Sequence, residues 1–416
     1  MHILYFHQHF STPTGATGIR SYEMARALVR RGHRVTMVCG SNAQARTGLD
    51  GPFCGRRRSG RVEGIEVVEF DLSYANRDGF LRRTWLFARF ALTGVGLALT
   101  RPYDLLFATT TPLTAGISGI AARWMRGKPF VFEVRDLWPE LPQAMGVIRN
   151  PVVLKLMSVL EWASYRSAHR LVGLSPGIVR GIRRRGVDAG RIAMIPNGCD
   201  LHIFSDAQTP PWRPKGVSLG DLMAVFAGTH GLANGLDAVL DGAAQLKARG
   251  RDDVKIVLIG DGREKPRLIA RAAAEGLSNV LFHHPVPKAR LSGLMAATDV
   301  GIQCLADVPA FYFGTSPNKF FDYIAAGLPV LNNYPGWLAD MIQEAGCGFA
   351  VPPRDPAAFA DALERAADDR SALSRMGANA LTLARTRFDR AMLAQQWVDW
   401  VTGVSRDVGV GEGDGR

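Results

Sequence analysis

The stretch Ser316-Pro-Asn-Lys-Phe-Phe-Asp-Tyr-Ile-Ala-Ala-Gly-Leu-Pro-Val330 decides the fold of this chain. A polar loop precedes a helical pattern of apolar residues, and Gly-Leu-Pro ends that pattern before a hydrophobic strand. Lys319 lies in the first helical turn, where unpaired N–H groups and the helix dipole favour a bound phosphate. Asp322 follows about one turn later on the same face, within reach of a ribose diol. One helix is therefore predicted to recognise a phosphate and a pair of sugar hydroxyls.

Short apolar runs alternate with helical patterns over most of the 416 residues. Strand-like runs recur from His2 to Ile195 and again from Ala224 to Asn332. This alternation predicts an α/β fold with parallel sheets covered by helices on both faces. The chain is too long for one ordinary domain, so we expect two.

A polar segment between Cys199 and Leu222 contains three prolines, interrupts the alternation and predicts a linker. We therefore expect an N-terminal domain over residues 1–205 and a C-terminal domain over residues 206–389. A last helix, predicted over residues 390–403, carries Trp397 and Trp400 on one face, which suits docking against another surface. Residues 404–416 are glycine-rich without apolar periodicity and are predicted to be a disordered tail.

Basic residues are concentrated in the N-terminal half of the chain. Residues 1–200 contain 28 Lys and Arg against 14 Asp and Glu, whereas residues 201–416 contain 22 against 24. A nucleic acid, an anionic membrane surface or an anionic substrate would each suit this asymmetry, and so would a merely solubilising surface. No zinc-finger spacing and no aromatic–basic RNA-binding pattern occurs, so we do not expect nucleic acid as a partner.

Five scattered cysteines without paired spacing predict free thiols in a reducing compartment. The segment from His2 to Phe6 is a predicted strand rather than a signal peptide. No apolar run reaches the ~18–20 residues that a membrane span needs. The longest, from Trp85 to Thr100, contains Arg89 and has arginines on both sides. It is either a core helix or a basic-rimmed helix that lies on a bilayer.

The turn Thr12-Pro-Thr-Gly-Ala-Thr-Gly18 follows the first predicted strand and precedes a helix that starts at Ile19. Glycines there allow the backbone to approach an anion, so Gly15, Gly18 and Arg20 are candidate anion contacts. The spacing differs from the G-x-G-x-x-G of dinucleotide-binding folds, so no NAD or FAD site is expected. A plain tight turn is the alternative.

The segment Phe132-Glu-Val-Arg-Asp-Leu-Trp-Pro-Glu140 ends a predicted strand with polar side chains. Ligands bind beyond the carboxyl ends of parallel strands, so Arg135 and Asp136 are candidates for a binding cleft. A structural ion pair between these two residues is the alternative.

Two more glycine-rich strand ends precede the Ser316–Val330 stretch, one in Phe226–Leu236 and one in Ile259–Arg263. Each is a weak signal alone, but three such strand ends in one domain predict a shared anion-binding edge. The candidate residues in these two turns are Gly228, His230, Asn234, Gly260, Asp261, Gly262 and Arg263.

No Asp-x-Asp pair and no His/Cys cluster at zinc spacing occurs in the sequence. We therefore predict no metal site and no cofactor. Helix N-termini and basic side chains would have to stabilise a leaving diphosphate.

Taken together, these segments resemble the family 4 retaining glycosyltransferases with the GT-B fold. The most specific matches are Arg31-Gly-His-Arg-Val35, Ile195-Pro-Asn-Gly-Cys-Asp200, Gly260-Asp-Gly262 and Ser316–Val330, and the resemblance extends to about residue 403. The Phe132–Glu140 segment looks like that of members that build bacterial surface polysaccharides (O-antigen or capsule) from UDP-linked amino or deoxyamino sugars. Transferases of the N-acetylfucosamine type belong to that subgroup.

This resemblance implies two facing Rossmann-like domains, with the acceptor in the N-terminal one and the donor in the C-terminal one. It implies that the last helix crosses back onto the N-terminal domain. It further implies a UDP-sugar donor, metal-independent transfer with retention, and a saccharide acceptor carried on a polyprenyl diphosphate. The basic N-terminal domain would then contact the inner face of the cell membrane from the cytoplasm.

Compared residue by residue, Asp322 occupies the second acidic position of the family's E-x7-E motif, which holds the ribose. Gly314 replaces the first acidic residue, so backbone amides near Thr315 and Ser316 would meet the donor sugar. Asn234 replaces a phosphate-binding lysine, and Lys319 with Arg263 would then carry more of the leaving-group charge. Lys319 and Asp136 are the expected catalytic residues.

Two other functions stay open at this point. A GT-B UDP-N-acetylhexosamine 2-epimerase shares the fold and the donor but needs no second substrate. A non-catalytic homologue that binds a nucleotide is compatible with the departures at Gly314 and Asn234.

Overall fold

The computed structural model describes residues 1–15, 17–42, 45–72, 80–205 and 209–404. The chain divides into two compact units. The N-terminal unit comprises residues 1–196, 314–316 and the chain from residue 391, and the C-terminal unit comprises residues 197–313 and 317–390. Residues 197–205, which the sequence assigned to the N-terminal domain, therefore belong to the C-terminal unit.

The N-terminal unit contains an eight-stranded sheet in the order β3-β4-β2-β1-β5-β6-β7-β8. All neighbouring strands are parallel except β3 and β4, which form an antiparallel hairpin. The central strands β1, β5 and β6 are almost wholly buried, as expected for a parallel sheet covered on both faces. The strands are β1 His2–Phe6, β2 Arg34–Gly40, β3 Arg57–Val62, β4 Ile65–Phe70, β5 Leu105–Thr109, β6 Phe130–Val134, β7 Arg170–Gly173 and β8 Ile192–Met194.

Among the described residues, six α-helices lie between or beside these strands. Local sequence explains two of their starts, because the side chains of Asn150 and Ser175 cap helices that have proline in their first turn. The helices are α1 Arg20–Arg30, α2 Phe80–Thr100, α3 Gly116–Arg126, α4 Glu140–Ala144, α5 Pro151–Ser167 and α6 Pro176–Arg184.

The C-terminal unit contains a six-stranded, all-parallel sheet in the order β11-β10-β9-β12-β13-β14. Its strands are β9 Leu222–Ala227, β10 Val254–Ile259, β11 Val280–His283, β12 Val300–Gln303, β13 Val330–Asn332 and β14 Gly348–Ala350. A core of apolar side chains fills the space between the sheet and helices such as Asp237–Ala248 and Pro356–Asp368. The helices that follow the N-terminal unit are α7 Leu201–Phe204, α8 Asp237–Ala248, α9 Lys265–Ala274, α10 Lys288–Met295, α11 Pro309–Gly314, α12 Asn318–Ala325, α13 Trp337–Ala345, α14 Pro356–Asp368 and α15 Arg370–Arg387.

The last helix, α16 Arg390–Thr402, returns to the N-terminal unit as the resemblance implied. Trp397 is fully buried, with its ring 5.9 Å from that of Tyr5 and 4.8 Å from that of Phe107. Trp400 donates from Nε1 to the carbonyl oxygen of Leu171 at 3.1 Å. The expected α/β class with parallel sheets and this returning helix are confirmed.

Other parts of the predicted domain organisation differ from the structure or lie outside the described residues. The segment between Cys199 and Leu222 contains a short helix, α7, and is therefore more than a linker. Val404 is buried, and the rest of the predicted tail, residues 405–416, lies outside the described residues. The run from Trp85 to Thr100 lies in α2, where Phe90 and Ala98 are buried. None of the described helices is long and apolar enough to cross a membrane.

Candidate functional site

The strand order of the C-terminal sheet reverses between β9 and β12, because β10 and β11 lie on one side and β13 and β14 on the other. In open α/β sheets, ligands bind beyond the carboxyl ends of the strands at such a switch point. The loop after β9 and the loop after β12 meet there, and the N–H of Ala306 donates to the carbonyl oxygen of Ala233 at 2.9 Å. The helix α12 brings Lys319 to the same place.

Lys319 is the second residue of α12, and its ammonium is held by neutral groups. Its Nζ donates to Oδ1 of Asn234 at 2.9 Å and lies 4.9 Å from the ring centroid of Phe226. Burial lowers the pKa of Lys319 to about 8. Among the residues that the structure describes, no carboxylate forms an ion pair with this ammonium. Pro317, in the cap position of α12, supplies no side-chain hydrogen bond to the helix N-terminus.

The glycines of the two neighbouring turns are explained by tight packing of the protein against itself. A Cβ at Gly228 would lie 3.1 Å from Cε of Lys319. A Cβ at Gly260 would overlap the carbonyl oxygen of Gly228, and one at Gly262 would overlap that of His230. These glycines therefore let the turns and Lys319 fit together, whatever ligand approaches them.

His230 lies in the turn after β9, where its ring packs among aromatic side chains. Its side chain is fully buried, with ring centroids 6.1 Å from Phe226 and 6.2 Å from Phe282. Burial lowers the pKa of His230 to about 4, so the imidazole is neutral at physiological pH. Its backbone N–H is also used, since it donates to the carbonyl oxygen of Asp261 at 2.9 Å. Nδ1 and Nε2 of His230 both lack a hydrogen-bond partner among the described residues, so a phosphate contact through this ring stays a prediction.

Asp322 belongs to a cluster of two carboxylates and two cations. Nζ of Lys288 lies 3.2 Å from Oδ1 of Asp322 and also donates to Asp200. Arg390 pairs with Asp200 from the other side and donates to the carbonyl oxygen of Gly198. This cluster and the backbone hydrogen bonds of Cys199 with Phe388 and Arg390 join residues 197–205 to the C-terminal unit.

The cluster controls the charge of both carboxylates. Burial raises the pKa of Asp322, and Lys288 opposes that rise. Burial would also raise the pKa of Asp200, but Arg390 and Lys288 together lower it. The Asp322 side chain keeps 14% of its surface exposed, so it remains able to accept a hydrogen bond from a ligand hydroxyl.

The remaining donor-site candidates lie in the turn after β10 and in the segment before α12. Asp261 and Arg263 are exposed in the turn after β10, where Oδ1 of Asp261 accepts from the N–H of Gly262 at 2.8 Å. Ser316 is buried and Thr315 partly buried, and both lie in the short segment that groups with the N-terminal unit.

The N-terminal sheet has its own switch point between β1 and β5, and Arg20 lies near it as the first residue of α1. Its guanidinium is fully buried and pairs with Glu133 at 2.9 Å. It also donates to the carbonyl oxygens of Ile195 and Pro196. The prediction that Arg20 contacts a bound anion is therefore wrong, because the fold already uses its charge and its donors.

Arg135 and Asp136 point to different partners. The Arg135 guanidinium donates to Ser21 and Thr109 at 2.8 Å and lies 3.2 Å from Glu133, so the alternative of an Arg135–Asp136 ion pair is wrong. The Arg135 side chain keeps 20% of its surface exposed, and its role as an anion contact stays a prediction. Asp136 is partly buried and accepts a hydrogen bond from Thr111 at 3.3 Å. Burial raises the pKa of Asp136.

Gly15 and Gly18 lie in the loop between β1 and α1, as expected from the sequence. Gly15 is buried and its N–H donates to the carbonyl oxygen of Thr12 at 3.1 Å, whereas Gly18 is exposed. Ile19, the cap residue of α1, supplies no side-chain hydrogen bond to the helix.

Comparisons with known proteins agree with this geometry. A model of the glycosyl transferase 4-like domain matches residues 15–198, and a model of glycosyl transferases group 1 matches residues 222–369. The chain belongs to the GT-B glycosyltransferases.

Individual relatives of this glycosyltransferase are distant. The probable glycosyltransferase WbjE of Pseudomonas aeruginosa is 24% identical over 304 residues, which cover 70% of this chain and 73% of that protein. A D-inositol 3-phosphate glycosyltransferase of Nocardia farcinica is 31% identical over 209 residues, which cover 48% of this chain and 45% of that protein. The structure of Anabaena HepE in complex with UDP and glucose has a TM-score of 0.69 at 20% identity, covering 97% of this chain and 100% of that one.

Three polar residues of this glycosyltransferase were not singled out from its sequence. His7 and Gln8 directly follow β1 at the switch point and are almost fully buried. Nδ1 of His7 and both amide atoms of Gln8 lack a hydrogen-bond partner among the described residues. His7 and Gln8 could have been identified from the sequence, because polar residues directly follow the first predicted strand. Lys288 had no such signal, because its partner Asp322 lies far along the chain.

Proposed function

We propose that this glycosyltransferase transfers a hexose derivative from a UDP-sugar to a hydroxyl of a lipid-linked saccharide, with retention at the anomeric carbon. One observation carries the proposal: the Lys319 ammonium lies at the start of α12, held by the neutral amide of Asn234. A bound diphosphate would supply the counter-charge that this ammonium lacks among the described residues. Such a site at a helix N-terminus is a common way for proteins to hold phosphate groups.

In this proposal, the main task of the site is to stabilise the departing UDP. The bond between the anomeric carbon and the β-phosphate oxygen breaks as positive charge develops on the sugar ring. Lys319 and the first N–H groups of α12 then hold the negative charge of the leaving group. Each charge-assisted hydrogen bond of this kind contributes about 1.5–3 kcal/mol.

Recognition of the rest of the donor is assigned to the elements around α12. Asp322 accepts hydrogen bonds from the ribose hydroxyls while Lys288 holds its carboxylate in place. The backbone near Thr315 and Ser316 meets the transferred sugar, and Arg263 in the exposed turn after β10 adds a second cation. HepE, which shares the fold, was solved with UDP and glucose, and this supports a uridine donor.

The acceptor is assigned to the N-terminal unit. Asp136 orients the attacking hydroxyl, whose proton passes to an oxygen of the β-phosphate. The backbone at Gly15 and Gly18 contacts the anionic part of the acceptor. The net positive charge of residues 1–200 supports an acceptor on a polyprenyl diphosphate, approached at the inner face of the cell membrane.

The finer identity of the substrates belongs to the same proposal. We assign an N-acetylated amino or deoxyamino hexose as the transferred sugar, as in N-acetylfucosamine-type transfer during O-antigen or capsule synthesis. The reaction is assigned no metal and no cofactor. The resemblance to the D-inositol 3-phosphate glycosyltransferase of Nocardia farcinica makes a phosphorylated polyol the rival acceptor class.

A coupled assay tests this proposal with the full chain. UDP release is measured with a panel of UDP-sugars, each with a polyprenyl-diphosphate-linked saccharide, with inositol phosphate or with no acceptor. NMR of the product gives the anomeric configuration, and the assay is repeated with EDTA. Acceptor-dependent UDP release that survives EDTA supports the proposal.

Other outcomes of that assay identify the rivals. A UDP-sugar converted to its epimer without acceptor indicates the 2-epimerase. UDP binding without turnover on any acceptor indicates the non-catalytic homologue, and UDP release only with inositol phosphate replaces the lipid-linked acceptor.

A further inference from the structure

Helix α5 has its apolar side facing solvent and its polar side facing the protein. Val152, Leu156, Val159 and Trp162 are between 52% and 65% exposed, and their spacing places them on one stripe of the helix. Its buried positions are instead Glu161, Ser164, Tyr165 and Ser167. A helix on the surface of a water-soluble domain normally shows the opposite arrangement.

Specific contacts fix α5 in this orientation. Glu161 is buried and pairs with Arg185 on the segment after α6. A Cβ at Gly116 would overlap Oγ of Ser164, so α3 and α5 touch at this point. The Tyr165 ring lies 6.2 Å from that of Phe132. Rotation of the helix to bury its apolar stripe would expose these contacts, so the exposed stripe belongs to the native fold.

Helix α3 extends the exposed apolar surface. Trp124 and Met125 are 67% and 68% exposed at its end. Nε1 of Trp124 donates to Oγ of Ser167 at 2.8 Å, which joins this end of α3 to the end of α5. We call the resulting surface the α3–α5 face, and it consists of Trp124, Met125, Val152, Leu156, Val159 and Trp162.

The exposed charged residues on α3 and α5 are all basic. Helices α3 and α5 contain a single acidic residue, Glu161, which is buried and paired. Lys155 and Arg166 are exposed on α5, and Arg149 is exposed just before it. The Arg123 guanidinium lies 5.7 Å from the ring centroid of Trp124. The apolar stripe is therefore interleaved with positive charge and carries no exposed negative charge on these two helices.

We propose that the α3–α5 face binds the surface of an anionic phospholipid bilayer, with α5 lying parallel to it. Apolar residues flanked by lysine and arginine are the arrangement by which helices enter the headgroup region. Tryptophan is favoured at that depth, and the stripe from Val152 to Trp162 provides a contact about 15 Å long. A second copy of the chain is a poor partner, because two positive faces repel each other.

This inference deepens the lipid-linked acceptor of the proposed function, yet it is measured separately from catalysis. It also relocates the expected membrane contact. From the sequence, Trp85–Thr100 was the candidate for a helix that lies on a bilayer. The exposed apolar residues of α5 form a more continuous stripe.

The test compares two pairs of variants of the full chain. Leu156→Gln/Trp162→Gln reduces the apolar stripe, and its control Leu219→Gln/Ile269→Gln changes two exposed apolar residues of the C-terminal unit. Lys155→Gln/Arg166→Gln removes two cations, and its control Arg30→Gln/Lys215→Gln removes two exposed cations elsewhere. Co-sedimentation with phosphatidylglycerol or phosphatidylcholine vesicles gives the partition coefficients. UDP binding and transfer to a short-chain acceptor analogue check that each variant is intact.

We expect the wild type to bind phosphatidylglycerol vesicles and to lose that binding in phosphatidylcholine or high salt. The Leu156→Gln/Trp162→Gln variant should bind at least about tenfold more weakly. Each removed cation should weaken binding roughly fivefold. Both controls should bind like the wild type.

Equal binding by the stripe variant and its control would overturn the proposal. So would a concentration-dependent dimer in analytical ultracentrifugation that the stripe variant abolishes, because the α3–α5 face would then be a protein–protein contact. If the wild type does not bind UDP, the proposed function is wrong, but the vesicle measurements still test the α3–α5 face.

Discussion

Arg20 and Lys319 are both cations in the first turn of a helix at the carboxyl edge of a parallel sheet, one in each unit. The Arg20 guanidinium is fully buried against Glu133 and two backbone carbonyls. The Lys319 ammonium has a neutral amide and the face of Phe226 around it. The same local sequence position thus gives one cation that holds the fold together and one whose charge is not neutralised by the described residues.

This difference shows what makes a helix N-terminus a binding site. Arg20 and Lys319 share their position in the first helical turn and their positive charge. These two properties therefore do not make a binding site by themselves. In a buried ion pair, each charge is already compensated by its partner. Removal of one partner leaves the other as an uncompensated buried charge. A cation held by neutral groups still gains free energy from an anionic ligand, and its lowered pKa records the cost of its burial.

The largest expected effect is on kcat, and it distinguishes the role of Lys319 from that of Arg20. Replacing Lys319 by Met should lower kcat about 10²–10³-fold, because one donor to the leaving diphosphate is lost in the transition state. The free energy of unfolding should stay the same or rise, since a partly buried charge without a charged partner among the described residues is removed. Steady-state kinetics and urea unfolding check the two parts. A variant with unchanged kcat would remove Lys319 from the mechanism.

The reverse pattern is expected for Arg20. Replacing it by Met leaves Glu133 buried with only Arg135 nearby, so the free energy of unfolding should fall by about 3 kcal/mol. The exposed Arg30, changed to Met in a control, should alter it by less than about 0.5 kcal/mol. Urea unfolding measures both, and UDP affinity at low denaturant should not differ from wild type. Equal stabilities of the two variants would contradict the structural role.

A pH profile sharpens the comparison, because Arg20 keeps its proton over the range in which Lys319 loses it. The protonated ammonium binds UDP, and the pKa of Lys319 is lowered from 10.5 to about 8. UDP affinity should therefore be constant below about pH 7 and fall by up to about tenfold per unit above pH 8. Calorimetric titrations from pH 6.5 to 9.5 check this. The Lys319→Arg variant should show a flat profile, and a flat wild-type profile would contradict the assignment.

A smaller effect is expected from the packing beside Lys319. Replacing Gly228 by Ala puts a Cβ 3.1 Å from Cε of Lys319, so the side chain must shift by a few tenths of an ångström. UDP affinity should fall roughly threefold, in line with partial loss of one charge-assisted hydrogen bond. Gly220→Ala is the matched control, since a Cβ there meets nothing within 4 Å and Gly220 lies outside the candidate site. Similar affinities in both variants would show that the position of Lys319 is not critical.

The sequence predicts the fold well because its central strands are continuous apolar runs between glycine-rich turns. Two strands lacked that signal. β3, Arg57–Val62, is polar and pairs only at the edge of the sheet, and β14, Gly348–Ala350, has three residues. The boundary after residue 196 also escaped prediction, because the ion cluster around Asp200 joins residues far apart in sequence.

Prediction of the site was less complete, for a consistent physical reason. Sequence patterns locate a side chain on a turn or helix but do not show its partners. Arg20 was therefore given a ligand-binding role that its burial and hydrogen bonds contradict. The partners of His230 and Arg135 could not be read from the sequence either, and their ligand-binding roles stay predictions. The roles given to Lys319, Asp322 and Asp136 stay predictions.

Binding of UDP and of uridine to the wild type and to Lys319→Met tests the central claim most directly. If Lys319 holds the diphosphate, the variant should lose about 10–100-fold in affinity for UDP and nothing for uridine, as measured by calorimetry at pH 7. An equal loss for both ligands, or no loss for UDP, would contradict the account.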